Sequence, residues 1–380
     1  MLYERSFFMK KGLKKLAAAI AMGAFLSMPL AAYTASDVEA APLSTIASVY
    51  VDKDGSNFQY WNENAPALKA LKAYVQDVTN PASPNYIPVE DRIVVSDMDG
   101  TFYGELAPTY SEWYLYFHRV LEDKSYHPTP AEVSFAEQCK EAAIKGSIST
   151  DFDSAEDHAQ AYAFEGMTIP EFNKYVHNFM SNTPLDGLSN CTFAEAYYLP
   201  MIEVITYLQA NDFNFYVVTG TDRQLVRQCI ADAGLPIPSH QIIGTDSIFI
   251  PKDQAFADGM YYTWDKDDVL VRGNYIFTNN KGNKVSNIAR EIGKQPVLCF
   301  GNSTSDGQMM TYTMANNNKY KSLSFGVLCD DADRDWGGEE KAAKMKKFCE
   351  GIGAQTISMR DDWKTIYGYE VEKTEQNFRK

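Results

Sequence analysis

This 380-residue chain is short of the residues that several kinds of function require. It has five histidines, His118, His127, His158, His177 and His240, each standing alone, so no zinc site built on paired ligands is written into it. Its six cysteines, Cys139, Cys191, Cys229, Cys299, Cys329 and Cys349, are widely spaced with no C-x-x-C string. An even count in an exported chain permits disulfides, while Cys299, inside an apolar run, reads as a small buried residue. Positive charge is scarce: 35 Lys and Arg against 50 Asp and Glu leave a net charge of -15 and no basic cluster. That excludes nucleic acid as a partner, because phosphate backbones are held by Lys and Arg. Long apolar runs are confined to the amino terminus, where Lys10, Lys11, Lys14 and Lys15 precede an apolar stretch at residues 16–30, too short for a comfortable membrane span. The pattern predicts an export signal cut after Ala40, with Ala35 as a second option and a retained anchor as the alternative. The expected location is periplasmic or secreted, with no membrane attachment after cleavage.

What the chain does have is a string of fixed form. Arg92-Ile93-Val94-Val95-Ser96-Asp97-Met98-Asp99-Gly100-Thr101 runs an apolar strand into two carboxylates and a glycine turn. Asp97 and Asp99 are thereby delivered to the carboxyl end of a strand, where open α/β sheets bind ligands. A second β-rich run, Asn214 to Val218, ends in Thr219 and Gly220; Lys284 opens an amphipathic helix; and Pro296 to Phe300 is a third strand leading into Gly301-Asn302-Ser303-Thr304-Ser305-Asp306.

In this order the four segments resemble the motifs of the haloacid dehalogenase superfamily, over about Ile93 to Met310. The resemblance is to its phosphoserine phosphatase-like members and to exported bacterial phosphorylcholine phosphatases. It implies an α/β fold: a Rossmann-like parallel-sheet core with an inserted helical cap in the position those members use. It also implies a phosphoric monoester hydrolase with Asp97 as nucleophile and Asp99 as general acid and base. An acid at the second position argues for a phosphatase over a haloalkanoate dehalogenase, since halide leaves without a proton. Thr219, Gly220 and Lys284 are expected to bind the phosphoryl group. Magnesium is expected on Asp97, the Asp99 carbonyl, Asn302 and Asp306. The first acid of the last motif is usually Asp; Asn302 removes one negative charge there, and weaker metal binding follows.

The intervals between motifs set the organisation. About 120 residues separate Asp97 from Thr219, far more than one crossover needs. Two T-x-x-E strings with Pro in the first turn, at Thr129 and Thr168, mark helix starts inside that interval. The expected domains are a signal peptide at 1–40, an amino-terminal helical segment at 41–90 packed on the core, a core at 91–104 and 199–380, and a helical cap at 105–198. Residues 240–278 read as a small β excursion. The substrate class is a small phosphomonoester. Glu105, with an aromatic stripe at Tyr110, Trp113, Tyr114 and Phe117, reads either as the buried face of a helix or as a pocket for an ammonium group of a phosphocholine-like substrate. Two alternatives stay open: a phosphoserine phosphatase-type activity, and an exported binding protein for a phosphorylated ligand in which Asn302 marks weakened catalysis. Oligomeric state is not legible.

Overall fold

A seven-stranded sheet, ordered β4-β3-β2-β1-β5-β6-β7, carries the molecule. The computed structural model describes residues 44–146, 149–254, 259–315 and 320–380, so the expected export signal lies outside the described residues. The strands are β1 (Ile93–Ser96), β2 (Asn214–Asp222), β3 (Ile242–Pro251), β4 (Leu270–Phe277), β5 (Leu298–Gly301), β6 (Leu323–Leu328) and β7 (Gln355–Ser358). All neighbours pair in parallel except β3 and β4. A parallel sheet covered on both faces needs strands that are apolar on both sides. Strand β1 meets that demand, since all four of its residues are buried. It lies at the centre, between β2 and β5, where the order of connection reverses. The fold class expected from the sequence, a Rossmann-like α/β core, is the one observed.

Helix α1 (Pro66–Thr79) precedes the sheet and buries Leu68, Leu71, Tyr74 and Val75, the residues whose periodicity marks it. Its Tyr74 hydroxyl donates to the Val297 carbonyl at 2.9 Å, fastening the helix beside β5. Between β1 and β2 come α2 (Ser111–Phe117), α3 (Pro130–Lys145), α4 (Thr150–Ala163) and α5 (Ile169–Asn182), followed by α6 (Leu199–Ala210), which returns the chain to the core. Both T-x-x-E strings form reciprocal capping boxes, Thr129 with Glu132 and Thr168 with Glu171, so local chemistry starts α3 and α5 where the sequence marks them.

After β2 come α7 (Arg223–Asp232), then the β3–β4 hairpin, α8 (Gly282–Asn287), α9 (Gly307–Met314) and α10 (Glu339–Ile352). The hairpin ties the inserted helices to the core. Gly166 N–H donates to the Arg272 carbonyl at 2.8 Å, and the buried Arg272 guanidinium pairs with Asp222 at 2.7 Å while lying 3.9 Å from the Phe172 ring centre. All six cysteines are buried free thiols. No helix among the described residues is long and apolar enough to cross a membrane.

Candidate active site

The carboxyl ends of β1, β2 and β5 open into a cavity of about 230 Å³, roofed by α2 and α4. Strand β1 stops at Ser96 and the chain turns through Asp97, Met98 and Asp99 to Gly100 at φ +74°, a left-handed conformation. A Cβ at Gly100 would stand 1.8 Å from Asn302 Nδ2 and 2.6 Å from the Glu105 carboxyl carbon. Only glycine fits both the angle and the space, which is the physical reason for the D-x-D-G string.

Asp97 and Asp99 are each 7% exposed and both line the cavity. Lys284, on α8, is buried and puts its ammonium between two carboxylates, 2.5 Å from Asp97 Oδ1 and 2.7 Å from Asp306 Oδ1. Burial opposes charge on that amine, but Asp306 and Asp97 outweigh it and hold its pKa above the ordinary lysine value. Asp97 is itself pushed upward, by burial first and by the Asp306 carboxylate second, against the pull of Lys284. Asp306 Oδ2 accepts from the backbone N–H groups of Asn302 and Ser303, each at 3.1 Å. Asp306 thus clamps its own loop and Lys284 with both oxygens.

Asp99 stands in different surroundings. Its Oδ2 accepts from Thr221 Oγ1 at 2.7 Å, while its Oδ1 is buried without a hydrogen-bond partner. Burial pushes the carboxyl up to about 6, against the lowering effect of Thr221. The carboxyl therefore exchanges a proton nearer neutrality than an ordinary Asp does. Thr219 is fully buried, accepts from the Thr221 N–H at 3.1 Å and does not reach the cavity wall, whereas Gly220 and Thr221 do. Thr221 is a hydroxyl that sequence reasoning did not single out; it and Thr219 both donate to Asp99 Oδ2, at 2.7 and 3.5 Å.

Of the donors that the resemblance implies for magnesium, Asp97, Asp99 and Asn302 all line the cavity and offer oxygen alone, which suits that ion in kind, and Asp99 Oδ1 is left without a partner. The set is poor in free charge, because Asp306 is committed to Lys284 and to backbone. No group of three or more His, Cys, Asp and Glu side chains among the described residues is arranged to hold a metal by itself.

Glu105 and Trp113 both border the cavity. Glu105 is 3% exposed; its Oε1 accepts from Asn302 Nδ2 at 3.0 Å and from the Lys341 ammonium of α10. Both donors meet it on the same oxygen, Oε1. Of the aromatic stripe, Phe117 is buried and Tyr114 packs on Phe193 and Phe378, while Tyr110 and Trp113 reach the cavity. The stripe is part core and part wall.

The roof carries acids that no motif announced. Glu112 of α2 and Asp153 and Asp157 of α4 line the cavity, with Glu156 buried behind them. Asp153 accepts from Asn280 Nδ2 at 3.3 Å and Asp157 from Thr278 Oγ1; Glu112 accepts from the Asp222 N–H at 2.8 Å; neither oxygen of Glu156 has a partner. Burial first, and mutual repulsion second, raise Glu112 and Glu156 well above the usual carboxylate range. Burial likewise raises Asp157. The available signal is the acidic run of α4, where Asp153 and Asp157 stand four apart on one helix face.

No family model and no curated protein matches this chain. Solved structures to which it is similar include a conserved protein of unknown function from Anaerococcus prevotii, at 12% identity over 80% of this chain and 93% of that one, TM-score 0.49. They also include a cytosolic 5'-nucleotidase IIIB bound to cytidine, at 12% identity over 78% and 87%, TM-score 0.46. A third is a phosphoserine phosphohydrolase-like protein from Francisella tularensis, at 14% identity over 62% and 86%, TM-score 0.35.

Proposed function

We propose that this chain is an exported, magnesium-dependent phosphomonoesterase of the haloacid dehalogenase type that works through an aspartyl-phosphate intermediate. The observation that carries the reading is the Lys284 ammonium held between Asp97 and Asp306, with the protonatable Asp99 in the same cavity. A phosphomonoester is shielded by negative oxygens, so an attacking carboxylate needs fixed positive charge beside it. Lys284 supplies that charge and orients Asp97. The Asp97 carboxylate bonds to phosphorus as the ester P–O bond breaks, and Asp99 gives its proton to the departing oxygen. Water then attacks the acyl phosphate and Asp99 takes the proton back, releasing inorganic phosphate. The Gly220 backbone borders the cavity where phosphoryl oxygens need donors, and Thr221 holds the Asp99 carboxyl beside it. Asp97, the Asp99 carbonyl and Asn302 would hold magnesium, whose chemistry here is to neutralise phosphoryl charge.

Selectivity belongs to the roof. Glu112, Asp153 and Asp157, next to the Trp113 and Tyr110 rings, favour a small substrate that carries a positive charge, of the phosphocholine kind. Glu105, engaged by Lys341 and Asn302, is left with the core.

The test is release of inorganic phosphate by the purified chain with magnesium, from p-nitrophenyl phosphate and from a panel including phosphocholine, phosphoethanolamine and phosphoserine. Turnover that stops on chelation and is highest with the cationic, carboxylate-free esters is expected. Absence of turnover on every ester overturns the enzyme reading and leaves the binding protein.

A further inference from the structure

The last motif of the site opens with an amide where a carboxylate would serve magnesium better, and charge count sets how tightly oxygen sites hold hard cations. Asp306 does not make up the loss: its Oδ1 takes Lys284 at 2.7 Å and its Oδ2 takes the Asn302 and Ser303 N–H groups at 3.1 Å. Glu105 stands in the right place to do so. Its Oε1 lies 3.0 Å from Asn302 Nδ2, and a carboxylate only accepts, so the amide nitrogen must face Glu105 and the amide oxygen is the end left for a cation. Its carboxyl group also crowds the spot a Cβ on Gly100 would fill, at 2.6 to 2.7 Å, which sets it against the turn that carries the Asp99 carbonyl. Glu105 and Asn302 are each 3% exposed, so their charges and dipoles act in a poorly screened setting. Lys341 meets the same Glu105 oxygen from α10, with 34% of its side chain open to solvent.

We propose that Glu105 is a positioning residue that supplies to the magnesium site the negative charge Asn302 lacks, and that it orients the Asn302 amide oxygen toward the cation. The assignment rests on the metal-dependent phosphatase reading, yet it is tested without turnover. Magnesium is titrated calorimetrically, and manganese by loss of its free-ion electron-spin signal, into the full chain and into Glu105→Gln, Asn302→Asp and the double variant. Glu105→Gln should weaken both metals about tenfold or more, and Asn302→Asp should tighten them. In the Asn302→Asp background the same Glu105→Gln change should cost less than about threefold, because the charge is already restored. Glu105→Asp, which keeps the charge, should hold metal better than Glu105→Gln and serves if the amide variant melts early. Equal losses in both backgrounds, an unchanged affinity in Glu105→Gln, or no metal binding by the wild-type chain up to about 10 mM each overturn the proposal. Metal binding that follows the expected pattern in a chain that releases no phosphate would sink the phosphatase reading and leave this one standing.

Discussion

The floor and the roof of the cavity are both crowded with carboxylates, and they treat them in opposite ways. On the floor, Asp97 and Asp306 share the buried Lys284, Asp306 spends its second oxygen on backbone N–H groups, and Glu105 is met by Lys341 and Asn302. On the roof, Glu112 and Asp157 receive single neutral hydrogen bonds, Glu156 receives none, and the half-buried Asp153 has the Lys281 charge near it besides its bond from Asn280. Buried charge that is paired is fixed in place and ready for chemistry; buried acid that is unpaired sits high in free energy until a cation or a proton arrives. Under the proposed function, this difference would separate reaction from recognition.

The comparison breaks first at Asp97. If the floor alone carries the chemistry, Asp97→Asn should lower kcat by at least about a thousandfold, about 4 kcal/mol of barrier, with an unchanged melting temperature or a higher one. Retention of activity within about tenfold would remove the nucleophile from the floor. Next is Lys284→Met, which strands Asp97 and Asp306 without their cation. A stability loss of about 3 to 5 kcal/mol, read by urea unfolding, is expected together with loss of turnover. A loss under about 1 kcal/mol would mean that the floor is not held by that ion pair.

The floor was legible in the sequence because its residues arrive in short strings at strand ends and at a helix start: Asp97 and Asp99 on one turn, Lys284 in α8, Asn302 and Asp306 on another. The sheet, the capping boxes of α3 and α5, and the buried face of α1 were legible for the same local reason. The roof was not. Its acids come from two helices whose facing depends on how the insert packs against the β3–β4 hairpin, and Asp222 and Arg272, which hold that junction, lie 50 residues apart. Lys341 reaches Glu105 across 236 residues of chain, so nothing near Glu105 in the sequence reveals this partner. Thr221 was not singled out, since the sequence does not show that hydroxyls two positions apart, Thr219 and Thr221, both reach one Asp99 oxygen.

The roof is tested next by Asp153→Asn combined with Asp157→Asn. Phosphocholine should lose about 1 to 3 kcal/mol in kcat/KM relative to p-nitrophenyl phosphate, which has no cation to place. Equal losses on both esters would reduce the roof to a structural lid and dissolve the distinction from the floor.

The last effect sharpens the comparison most, because it reads the unpaired acid directly. Burial, then Asp157 and Asp153, hold Glu156 far above the usual carboxylate range, so the folded chain keeps a proton there that the unfolded chain releases above about pH 4.5. For a group whose folded pKa is raised, the stabilisation is complete below the unfolded value and declines as pH climbs toward the folded one. One such proton costs about 1.4 kcal/mol per pH unit across that window. Glu156→Gln, isosteric with the protonated acid, removes the dependence. The two proteins should melt alike near pH 4.5 and separate by a few degrees as pH rises to 7, the variant being the more stable. Parallel melting curves across that range would mean that Glu156 is charged and paired in the folded chain, and the roof would then be built like the floor.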